Sequence, residues 1–169
     1  MSRATPEPVQ VVKHRRDEAL KALATGVPYV QFLGITFDRR GDELTAVLPY
    51  DPKLIGNPML PALHGGVTAA FLETAAIIGL SWSIMWADIE SGELVPDKLT
   101  HDNLPRLPKT VSFTVDYLRS GLPRDAYARA QIVRSGRRYA TVDVEAWQDN
   151  RLRPFAQGKA HFVMPRKPT

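Results

Sequence analysis

The chain has 169 residues, enough to bury one sizeable core and too few for two independent globular units. Its 24% charged and 44% hydrophobic residues match a folded globular protein, which excludes a disordered or fibrous chain. The absence of cysteine removes disulfides, thiol nucleophiles and Cys-held metal; a net charge of +4, spread along the sequence, is too small to imply nucleic acid but favours an anionic ligand.

The opening MSRATPEPVQVV lacks a basic region followed by an apolar one, so no secretion signal is expected and the location read here is cytoplasmic. Thr5-Pro6-Glu7 has the chemistry of a helix start, with a hydroxyl cap, proline at the first helical position and an acid in the first turn. Gly26 and Pro28 are the matching stop, so a helix of about 18 residues is expected. Residues 1–26 form an N-terminal helical extension, and 27–169 one main domain. The KHRR run, Lys13 to Arg16, reads as a solvated face.

From Tyr29 to Tyr50 the pattern predicts a short helical turn and two strands joined by a tight turn at Arg40-Gly41-Asp42. DPKLIGNPMLPAL, with three prolines, reads as a loop. Val67 to Trp86 is long enough to span a bilayer, yet it carries Glu73 and several hydroxyls and has no flanking Lys or Arg. It is better read as a helix buried in a sheet, and no membrane partner is expected. Ala87 to Lys109 is polar, contains proline and has no steady period, as expected of a long functional loop.

In KTVSFTVDYLRSG, Val111, Phe113, Val115 and Tyr117 alternate with Thr110, Ser112, Thr114 and Asp116, which predicts a strand with one apolar face. Three further strands follow, turning at Arg134-Ser135-Gly136-Arg137 and at Asp149-Asn150. Hairpins imply an antiparallel sheet, so the fold class is α+β, with the sheet wrapped around one long helix.

The chemistry concentrates in LPALHGGVTAAFLETAAIIGL. At a helix start the unpaired N–H groups and the positive end of the dipole face outwards, and glycine lets a ligand come close. Gly65 and Gly66 are therefore candidate donors to a polarised carbonyl oxygen, or else tight packing against the sheet. Glu73 lies about 12 Å further along the helix axis, too far for both to act on one carbon within one chain. A carboxylate among Phe71, Leu72, Ala75 and Ile77 is costly to keep without a role. If both residues act, the site is shared by two copies related by a two-fold axis.

The segment NPMLPALHGGVTAAFLETA, followed by TVSFTVDYLRSG, resembles the hotdog-fold acyl-CoA thioesterases of the PaaI-like, phenylacetate-pathway type, over roughly residues 30 to 165. The resemblance implies a homodimer with a continuous sheet, in some members a homotetramer, that hydrolyses acyl-CoA without metal or cofactor; coenzyme A enters as part of the substrate. By matching position, Gly65 polarises the thioester carbonyl, Glu73 is general base or nucleophile, and Thr110 helps place nucleophile or water. Asn57 matches the Asn before His-Gly-Gly. His64 orders the loop or stands beside the substrate.

Coenzyme A phosphates call for cations at the site mouth. Arg119, Arg124, Arg134, Arg137 and Arg138 are the candidates, and Trp82 and Trp86 are candidates to shape the acyl pocket. His101 and His161 lack ligand-spaced partners, and Ser81 and Ser83 lack a G-x-S-x-G setting. The alternative reading is a non-catalytic acyl-CoA or lipid-binding protein of the same fold. A hydratase ranks below both, since no acid stands close before His64.

Overall fold

The structure, a computed structural model, describes residues 8–95, 98–99 and 103–165; the Thr5-Pro6-Glu7 start and His101 lie outside them. Helix α1 spans Val9–Thr25 and stops at Gly26, whose N–H returns to the Ala22 carbonyl. Helix α2, Pro28–Leu33, begins on proline and ends at Gly34 with φ +70°, a conformation glycine adopts without strain. Strands β1 (Thr36–Arg40) and β2 (Glu43–Leu48) pair around Gly41, also at positive φ.

The proline-rich loop is more ordered than its sequence suggests. Pro52–Leu54 makes one 3-10 turn, and β3 (Ile55–Asn57) and β4 (Ala62–Leu63) form a small hairpin. The prolines hide these few residues from any period-two reading, because only Ile55 and Leu63 supply the apolar contact across the pair.

Helix α3 runs from Gly65 to Glu90, overrunning the expected span at both ends. Its length and composition would allow it to cross a bilayer, but here Phe71, Leu72, Ala76, Ile78 and Leu80 are fully buried as the centre of the core. Strands β5 (Lys109–Tyr117), β6 (Ala126–Ser135), β7 (Tyr139–Trp147) and β8 (Ala156–Val163) complete one antiparallel sheet in the order β1-β2-β6-β7-β8-β5. Small residues on its inner face, such as Ala128, Ala146, Ala156 and Ala160, let it close around α3. At Gly158 an added Cβ would stand 2.7 Å from the Phe113 ring, so glycine is needed there for packing.

α1 closes the remaining side. Ala19, Leu20 and Leu23 pack with Ile78, Trp82 and Met85, and Arg16 lies 3.5 Å over the Trp86 ring. The stretch from Ala87 is not a free excursion: α3 takes its first residues, and Leu94, Leu99 and Leu107 join the α1–α3 cluster. Isolated leucines spaced without a period carry no sequence signal for such anchoring.

One face assignment changes. A bulge between Thr110 and Ser112 puts Thr110 opposite Phe162, on the inner face, and turns Val111 outwards, where it is 55% exposed. A bulge adds one residue to one strand and so reverses the alternation beyond it, which period-two counting cannot foresee.

Candidate active site

Several contacts fix the start of α3. The His64 N–H donates to the Leu54 carbonyl at 2.8 Å, and the Leu63 N–H to the Gly121 carbonyl at 2.8 Å. The His64 Nδ1 accepts the Gly66 N–H at 2.9 Å and acts as the helix cap. Nδ1 must be unprotonated to accept, so in neutral His64 the proton sits on Nε2. Gly56 lies directly against His64, where an added Cβ would come within 2.8 Å of the His64 Cα. From the end of β5 the Tyr117 hydroxyl donates to the Gly65 carbonyl at 2.8 Å.

These bonds sort the glycine N–H groups. That of Gly66 is taken by His64, whereas that of Gly65 has no acceptor among the described residues. The nearest atoms to a Cβ on Gly65 would be those of the Tyr117 ring and hydroxyl at 3.5 Å, ordinary contact, so packing within the described residues does not require glycine there. A free N–H at a dipole's positive end, with room for close approach, is what a developing oxyanion needs.

Glu73 is half-buried and makes no hydrogen bond or ion pair with any described residue. It belongs to an incompletely covered stripe of α3 that includes Gly66, Ala69, Ala70, Ile77 and Ile84. Spacings of three, four and seven residues put these side chains on one helix face. A carboxylate in mostly apolar surroundings, with no partner among the described residues, could take a proton or attack.

The remaining candidates do not all gather here. Asn57 is exposed and its Oδ1 accepts the Met59 N–H at 3.0 Å, which commits it to the β3–β4 turn. Arg119 sits at the near end of the sheet, beside the start of α3, with Nη1 donating to the Pro154 carbonyl at 2.7 Å. Arg124 is paired with Asp149 at 2.7 Å. Thr110, Arg134, Arg137 and Arg138 lie at the far end, because β5 and β6 run the length of the sheet. Thr110 is seven strand positions from Tyr117, roughly 23 Å. Within one chain these residues cannot share a mouth with Gly65.

Trp82 is buried and lies half a turn around α3 from Glu73. It borders a groove of about 870 Å³ with Phe37, Leu44, Ala75, Gly79 and Ala130. The groove opens where β2 leaves β6 beyond the Ala46–Ala128 pair, with Arg129 bridging the gap to Glu43 at 2.9 Å and to Thr45 at 2.8 Å. Gly65, Glu73 and Thr110 are not among its walls. The groove also carries Asp42, Glu43, Asp143 and Glu145, each paired with a cation; the Gly65 N–H and Glu73, which have no partner among the described residues, therefore weigh more in locating the chemistry.

Sequence reading missed Tyr117, Gly56 and the Leu63–Gly121 bond. Tyr117 was visible only as an aromatic at a strand end; its partner, Gly65, is 52 residues away. No local pattern predicts such a contact.

A curved antiparallel sheet closed around one long helix is the hotdog fold. The thioesterase superfamily profile matches residues 60–154, more than half of the chain, and the chain belongs to that family: it is a thioester hydrolase. It is 28% identical over 127 residues to the medium/long-chain acyl-CoA thioesterase YigI of Escherichia coli K12, covering 75% of this chain and 79% of that one. A Chromobacterium violaceum protein of known structure is 31% identical, with 92% of this chain and 96% of that one aligned at a TM-score of 0.62. The E. coli PaaI protein from the phenylacetic acid degradation operon shares the fold at 15% identity and a TM-score of 0.65, over 89% of this chain and 93% of that one.

Proposed function

We propose that the protein hydrolyses acyl-CoA thioesters at sites shared by two copies. The observation that carries this reading is Glu73, without a partner among the described residues on a half-covered helix face, together with a Gly65 N–H that has no acceptor among them, about 12 Å up the same helix. Strand β5 is an edge of the sheet. Antiparallel pairing of β5 with its copy would lay the two α3 helices antiparallel, and Gly66, Ala69 and Ala70 are small enough for close approach. A crossing near Ala69 sets Gly65 opposite the partner subunit's Glu73. It also carries the partner subunit's Thr110 from the far end of its sheet towards Tyr117.

In that arrangement the thioester oxygen accepts the Gly65 N–H. Glu73 takes a proton from water as the water oxygen attacks the carbonyl carbon; the C–S bond then breaks, and the thiolate leaves to take up a proton. Direct attack by Glu73, with hydrolysis of the resulting anhydride by water, uses the same groups. Arg119 is the cation proposed for the coenzyme A phosphates. The likeness to a medium/long-chain enzyme makes such acyl groups the first to try. A screen of short, medium, long and aromatic acyl-CoAs beside Glu73→Ala tests the mechanism: turnover is expected only with Glu73 intact, and equal turnover by the variant would overturn it.

A further inference from the structure

The far end of the outer sheet face gathers charge and apolar surface outside the groups assigned above to hydrolysis. Register places Lys109 and Tyr139 on either side of Val163, and aligns Ser112, His161, Thr141 and Arg134 in one cross-strand row. Arg137 and Arg138 lie in the turn between β6 and β7, where the Arg138 carbonyl accepts the Met164 N–H at 2.8 Å. Arg106 lies three residues before β5. The side chains of Lys109, Arg106, Arg134, Arg137 and Arg138 make no ion pair or hydrogen bond with a described residue. By contrast Arg16, Arg39, Arg40, Arg124, Arg129 and Arg151 each face a carboxylate. Residues 103–115, 131–142 and 160–165 contain no acid at all.

Both strand bulges fall at this end, and each changes what the surface presents. The bulge in β5 turns Val111 outwards; the bulge between Ile132 and Arg134 leaves Val133 unpaired and puts Arg134 on the outer face, opposite Thr141. Val111 and Val133 are each 55% exposed and Tyr139 is 63% exposed, interleaved with the cations. A soluble polyanion would use the cations and leave the valines and the tyrosine in water. A lipid–water interface uses both, with headgroup charge for the cations and the acyl boundary for the apolar side chains.

We propose that this end of the sheet is a peripheral docking surface for membranes containing anionic lipid, which Arg134, Arg137, Arg138 and Lys109 attract while Val111, Val133 and Tyr139 seat at headgroup depth. It does not depend on the shared thioesterase site. Co-sedimentation of the full chain with phosphatidylcholine vesicles, with and without about 30% phosphatidylglycerol, tests it. Binding is expected only to the anionic vesicles and is lost near 0.5 M salt, where screening falls to roughly 4 Å. The variant R134E/R137E/R138E should weaken it by about a hundredfold or more, and Lys109→Glu, on another strand, by about tenfold. V133S/Y139S should weaken it severalfold, while K13E/K21E/K98E, with the same change in net charge, should not.

Circular-dichroism melts establish that each variant is folded, and Lys109→Glu decides the matter if the triple variant is not. Equal binding to both vesicle types, binding to neither, equal loss in the Lys13 control, no loss in V133S/Y139S, or release by adenosine 3′,5′-bisphosphate at millimolar concentration would each overturn the proposal.

Discussion

The two ends of the sheet use their polar groups in opposite ways. At the near end nearly every polar group holds backbone: Tyr117 grips the Gly65 carbonyl, the His64 ring caps Gly66, and Leu63 is tied to Gly121. Among the described residues the Gly65 N–H is left without an acceptor, backed by the helix dipole. At the far end the sheet satisfies its backbone through its own ladder, and the charged side chains of Lys109, Arg134, Arg137 and Arg138 are exposed and have no partner among the described residues. Groups that fix geometry are spent within the chain, and groups left unspent mark where something else is to bind.

The largest effect that tests this contrast is Glu73→Ala, which should lower thioester turnover about 100-fold or more, with an unchanged melting curve, in a thiol-release assay. Survival of activity would mean that the near end works without its unpartnered carboxylate. Mixing Glu73→Ala with an inactive Gly65→Val chain comes next. Shared sites predict recovery of about a quarter of wild-type activity, because half of the dimers are mixed and each holds one intact site. No recovery would place Gly65 and Glu73 of one site in the same chain or remove one of them from the chemistry.

Tyr117→Phe removes one hydrogen bond and should cost about 1 kcal/mol of stability, together with a severalfold drop in kcat at little change in KM. A change in KM alone would mean that Tyr117 touches substrate rather than holding the Gly65 peptide. His64→Ala should lose a cap worth about 1 kcal/mol, and His64→Asn should restore most of it. If His64→Asn is stable but inactive, His64 does chemistry beyond capping. The smallest effect is expected at the far end. Arg137→Gln should leave stability within about 0.5 kcal/mol, shifted upwards at low salt as like-charge repulsion is relieved.

The architecture, and Gly65, His64 and Glu73 as candidates, could be read from the chain because each has a local cause; Tyr117 and the Leu63–Gly121 bond could not, because their partners are distant in sequence. Period-two alternation, turn residues and one long apolar run determine an antiparallel sheet around a helix, and a Gly-Gly pair before an isolated acid marks the helix that holds the candidate site. The Gly65-to-Glu73 spacing follows from helix geometry alone. The short β3–β4 hairpin was hidden by its prolines, and the leucines after Ala87 anchor that stretch without any period. The face taken by Thr110 depended on a bulge.

Sequence by itself determined which residues could react and how far apart the helix holds Gly65 and Glu73, since propensity and rise per residue are properties of the local chain. Only the tertiary structure decided which groups remain unspent among the described residues: that the Gly66 N–H is taken and the Gly65 N–H is not, that Arg119 and Arg134 stand at opposite ends, and that cations from separate segments gather at one end of the sheet. The physical reason is that satisfaction of a donor or a charge depends on neighbours brought in from distant strands. Their identity is written in the sequence, but their distance is not.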